Sequence, residues 1–61
     1  MKSYKVDFSE TGFVKIDGDV ETIVAHYRDG RKETMPIFQF LTLKKKNDII
    51  QIDCYKKGEK L

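Results

Sequence analysis

The sequence predicts a mainly β domain, a small antiparallel meander of about five strands. Three observations point there. Two Asp-Gly pairs, Asp17-Gly18 and Asp29-Gly30, stand 12 residues apart, a spacing suited to turns between consecutive antiparallel strands. The segments around them alternate apolar and polar residues at period two. The chain then returns to strand-like composition in IIQIDCY, Ile49 to Tyr55.

Taken in order, Tyr4 to Phe8 places Tyr4, Val6 and Phe8 on one face and Lys5 and Asp7 on the other, the pattern of a half-buried strand. Ser9-Glu10-Thr11-Gly12 reads as a turn, and Phe13 to Ile16 as a short second strand. The hairpin Val20 to Met35, VETIVAHYRDGRKETM, is the centre of the chain. Asp29-Gly30 suits a two-residue turn in which both residues take positive φ, and Asp17-Gly18 has the same chemistry. Ile23, Ala25 and Tyr27 share one face of the hairpin's first strand; Val20, Thr22, Val24, His26 and Arg28 share the other.

Pro36 interrupts the return strand because it has no backbone donor. Ile37 to Leu43, IFQFLTL, is the most apolar run. Its Ile, Phe and Thr content favours a strand, with both faces apolar. The alternative is an α+β arrangement with one short helix at about 36–46. Lys44-Lys45-Lys46-Asn47-Asp48 is a polar connection. In the last strand Ile50, Ile52 and Cys54 are expected to face inward, Gln51, Asp53 and Tyr55 outward, with Ile49 at its start. Five short strands in 61 residues suggest a bent sheet or an SH3-like barrel.

The length allows a single domain, residues 1–61. A chain this short buries only about 60% of the surface its unfolded form exposes, and small domains often need a disulfide, a metal or a second subunit. One cysteine, Cys54, allows no internal disulfide, and one histidine with one cysteine falls short of the common zinc sets. A homodimer is the expected remedy, with Phe38 and Phe40 at the interface, on the strand face that a single small sheet leaves bare. The lone cysteine fits a reducing compartment, and no apolar run has the length of a membrane span or a signal-peptide core. The expected location is cytoplasmic, with no membrane partner.

Catalytic patterns are few. The sequence contains no glycine-rich phosphate loop, no paired cysteines and no Gly-x-Ser-x-Gly elbow, and no cofactor is expected. His26 and Cys54 are the one conceivable nucleophile–base pair, but Cys54 reads better as a small core residue. Asp17, Asp19 and Glu21 gather three carboxylates near one turn, without the ligand spacing of a calcium loop. The chain is read as a non-enzyme.

The remaining signal is charge. Residues 1–30 carry four basic and six acidic side chains, a sum of −2; residues 31–61 carry eight basic and four acidic, a sum of +4. Arg28, Arg31 and Lys32 bracket the hairpin tip beside Tyr27, and Lys44, Lys45 and Lys46 fill another loop. These seven residues form the expected binding surface. The favoured function is a non-enzymatic binding module with a protein partner. In size and lysine-rich composition the chain looks like the small inhibitors, anti-defence proteins among them, that phages and mobile elements encode. The second reading is a nucleic-acid-binding β-domain. A third is an oligomeric sponge that holds a small anionic ligand such as a nucleotide.

Overall fold

The computed structural model describes residues 1–8 and 15–60. Within them the chain forms β1 (Lys2–Lys5), β2 (Val20–Tyr27), β3 (Lys32–Pro36), helix α1 (Ile37–Thr42) and β4 (Ile49–Lys56). All pairings are antiparallel, in one open sheet of order β1-β4-β2-β3. The class is as the sequence predicts, mainly β and antiparallel. The sheet has four strands among the described residues and does not close into a barrel. Lys15 and Ile16 are not in a strand; the rest of the expected second strand and the turn at 9–12 lie outside the described residues.

The core lies on one face of the sheet. The cross-strand row Lys2–Cys54–Ile23–Met35 and the row Tyr4–Ile52–Ala25–Glu33 run over all four strands. Ile23, Ala25, Met35, Ile52 and Cys54 are buried there with Val20, Ile49 and Phe40. Tyr4, Val6 and Phe8 pack against this cluster, as their alternation predicts, although the strand covers Lys2–Lys5 and not the expected Tyr4 to Phe8.

Two register shifts alter the expected pattern. Gln51 stands opposite His26 but Ile49 opposite Tyr27, so Ile50 is an extra residue in β4. The shift turns Ile49 into the core at 1% exposure and leaves Ile50 at 41%, the reverse of simple alternation. The same device at Glu21 in β2 brings Val20 onto the core side.

The β2–β3 turn also differs from expectation. The Gly30 N–H donates to the Tyr27 carbonyl (2.9 Å) and the Tyr27 N–H to the Arg31 carbonyl (2.8 Å). Only Gly30 takes positive φ, at 94°; Asp29 does not. The connection is thus a three-residue loop with glycine at its left-handed position. Asp29 uses its side chain instead, accepting from the Arg31 N–H at 3.0 Å. Gly18 is not in the left-handed region, so the turn that the Val20 N–H closes on the Asp17 carbonyl (3.1 Å) is a different one.

Residues 37–42, expected as a strand, are helix α1; the alternative reading holds here. Pro36 ends the β3 ladder opposite Thr22 and stands at the helix N-cap with φ −64°. Successive helical residues are rotated by about 100°. Phe38 and Phe40, which a strand would place on one face, are therefore turned about 200° apart. Phe40 enters the core at 2% exposure, while Phe38 is 69% exposed. Phe40 is thereby a core residue of the protomer and not an interface residue as expected. β propensity loses to tertiary burial: Ile37, Phe40 and Leu43, spaced by three, are the positions turned toward the core.

Candidate functional site

The two basic loops meet. β2 runs out at Tyr27 and β4 begins at Ile49, opposite it, so the β2–β3 turn and the 44–48 connection lie at the same end of the sheet. The Arg28 N–H donates to the Asp48 carbonyl at 2.7 Å, and its guanidinium reaches the Asn47 carbonyl at 3.4 Å.

The seven expected binding residues do not form one patch. Arg31 is committed locally: its Nε donates to Asp29 Oδ2 at 2.7 Å, and its guanidinium lies 5.0 Å from the centre of the Tyr27 ring. The Arg31 N–H and guanidinium hold the Asp29 carboxyl below the usual carboxylate range. Burial, and then the Glu33 carboxylate, push the Tyr27 phenol up. Lys46 also has a partner, its Nζ 5.4 Å from the centre of the Phe40 ring. Lys44 and Lys45 are exposed just beyond the helix. Lys32 lies opposite His26, on the sheet face away from the core.

The helix supplies a second feature. Phe38 and Leu41 are 69% and 61% exposed, three residues apart and so on one side of α1. Beside them a shallow groove is lined by Ile16, Asp17, Gly18, Val20, Ile37 and Leu41.

A third feature was not anticipated from the sequence. On the face away from the core, Asp53 is a carboxylate only 8% exposed. Ser3 Oγ donates to its Oδ1 at 2.7 Å, Gln51 Nε2 donates to the same oxygen at 3.2 Å, and His26 Nε2 lies 2.7 Å from Oδ2. Burial acts to push this carboxyl up. The hydrogen bonds from Ser3, His26 and Gln51, with the His26 charge, outweigh it and hold the group below the ordinary aspartate range. The outward placement of Gln51 and Asp53 was visible in the alternation of β4. That Ser3 and His26 flank them depends on pairing between distant strands.

This arrangement separates the conceivable nucleophile–base pair. His26 faces away from the core, whereas Cys54 lies inside it at 3% exposure. Burial, then the Asp53 and Asp17 charges, push the Cys54 thiol up, away from the reactive thiolate. The Ser3 hydroxyl is turned to Asp53 rather than to the imidazole. At the acidic turn, Asp17 pairs with Lys2 (3.8 Å) and Asp19 with Lys56 (3.3 Å). Among the described residues no three His, Cys, Asp or Glu side chains are grouped as a metal site, and no helix is long and apolar enough to cross a membrane.

No protein-family model matches this chain, no curated protein matches it, and no solved structure matches it.

Proposed function

We propose that this chain is a non-enzymatic binding module that acts through a protein–protein interface centred on Phe38 and Leu41. The observation that carries this reading is the exposure of those two side chains, 69% and 61%, on a helix whose other apolar residues, Ile37 and Phe40, are turned toward the core. Large apolar side chains set side by side in water are what an interface core uses. Lys44 and Lys45 follow at the end of the helix and provide a cationic rim. The matching surface is an apolar pocket bordered by carboxylates. Such a module works by occupying its partner, the mode of action of a small inhibitor.

A second copy of the chain meets that description. Asp17 lines the groove beside Ile37 and Leu41, while the lysines lie beyond the helix's other end. Two copies joined with their helices antiparallel would set the lysines of each against the acidic turn of the other, a two-fold arrangement. The placement of Cys54, His26 and Ser3 supports the non-enzymatic part of the reading.

Light scattering at micromolar concentration tests it. The wild-type chain is expected as a dimer, and Phe38→Asp/Leu41→Asp as a monomer with an unchanged circular dichroism spectrum. A wild-type monomer removes self-association. An unchanged dimer in the double variant removes the helix as its interface.

A further inference from the structure

The face of the sheet opposite the core is bare: among the described residues, helix α1 and the hydrophobic cluster all lie on the other side. One cross-strand row on this face runs Lys5–Gln51–His26–Lys32 across all four strands. Directly opposed residues share a face, so a lysine stands at each edge, with an amide and an imidazole between. At roughly 4.8 Å per strand the two lysine backbones are about 14 Å apart. The Asp53 carboxylate lies beside this row, 8% exposed and engaged with Ser3, His26 and Gln51. The exposed charges of the row are therefore positive.

We propose that this face binds a single-stranded nucleic acid laid across the strands, its phosphates held by Lys5 and Lys32 at the edges. Charge complementarity names an anionic polymer. Among the described residues the two most exposed large apolar side chains, Phe38 and Leu41, are on the helix and not on this face, and protein interfaces depend on desolvated anchors of that kind. Nucleic-acid interfaces are instead polar, cationic and wet. A single strand is favoured over a duplex because a broad sheet face accepts splayed bases but does not enter a groove. Tyr55, half-buried on this face opposite Thr22, and His26 offer rings for stacking, which is tolerant of sequence.

Fluorescence anisotropy with labelled mixed-sequence oligonucleotides of about 12 nucleotides, as DNA and as RNA, tests the proposal. Two phosphate contacts predict that affinity falls about sevenfold between roughly 50 and 200 mM salt. Lys5→Glu/Lys32→Glu, at two exposed positions, is expected to stay folded by circular dichroism and to bind at least about tenfold more weakly. Lys56→Glu, on the rim of the opposite face, is expected to change affinity by less than about threefold. The proposal is overturned if neither oligonucleotide binds, if the folded double variant binds as the wild type does, or if a duplex of equal length binds as tightly. It is also overturned if a decaglutamate peptide competes at equal concentration, since the face would then be a site for acidic protein segments.

Discussion

His26 and Asp53 are diagonal neighbours across β2 and β4, joined through Nε2 and Oδ2 at 2.7 Å, while their direct partners in the ladder are Gln51 and Val24. A buried carboxylate in the middle of the sheet is tolerable because both of its oxygens are hydrogen-bonded. No buried side-chain nitrogen or oxygen lacks a partner among the described residues.

Acid should therefore act through Asp53. Its carboxyl titrates lower in the folded than in the unfolded chain. Its contribution is complete above the unfolded value of about 3.9 and is lost as pH falls through the folded value. Asp53→Asn is expected to cost about 1–3 kcal/mol near neutrality. Below about pH 4 its melting temperature should fall less steeply than that of the wild type. Parallel acid profiles for the two proteins would show that Asp53 is not the group responsible.

The register shift in β4 makes neighbouring isoleucines unequal. Ile49→Ala should cost about 2–5 kcal/mol in urea denaturation, as buried Ile→Ala changes do. Ile50→Ala, at a 41% exposed position, should stay within about 0.5 kcal/mol. The opposite ranking would restore simple alternation and exclude the bulge.

The two phenylalanines of α1 should separate in the same way. Phe40→Ala is expected to cost about 3–5 kcal/mol, since its ring lies in the core against Phe8 at a centroid distance of 6.1 Å. Phe38→Ala should change the folding free energy of the dissociated chain by no more than about 0.5 kcal/mol, because the side chain is exposed there. Equal losses at both positions would mean that the segment is not helical.

The glycines of the two Asp-Gly turns test backbone conformation alone. Nothing lies within 4 Å of a Cβ added at Gly18 or Gly30. Gly30→Ala should nevertheless cost about 1 kcal/mol, because its φ of 94° is unfavourable for an L side chain. Gly18→Ala should be neutral or stabilise by up to about 1 kcal/mol, by restricting the unfolded chain. Thermal melts of the two variants suffice, and equal effects would refute the difference between the turns.

What was legible in the sequence was local. The period-two alternation places Ile23 and Ala25 inside, and Gln51 and Asp53 outside, and the Asp29-Gly30 pair locates the hairpin. What was not legible depends on partners far along the chain. A single extra residue at Ile50 reverses its neighbourhood and leaves no mark in composition. Helix or strand for IFQFLT is decided by what Phe40 packs against, not by its own propensities. The cluster around Asp53 draws on Ser3, His26 and Gln51, and becomes visible only once β4 is known to run between β1 and β2. The division of the basic residues among turn, loop and sheet face follows from the same strand order.

That strand order also sets how the fold would respond to a pulling force. Lys2 stands opposite Cys54 and Lys5 opposite Gln51, and the Met1 amine pairs with Glu59, so residues 1 and 60 leave the sheet at one end. Tension between them would load β1 against β4 like a zipper, parting the ladder bonds in turn. Val20 lies opposite Lys56, so β2 and β4 would then part in the same manner. Handles at residues 29 and 60 would instead draw β2 and β4 past each other, loading many bonds together. The molecule should yield at low force along the first axis and resist along the second.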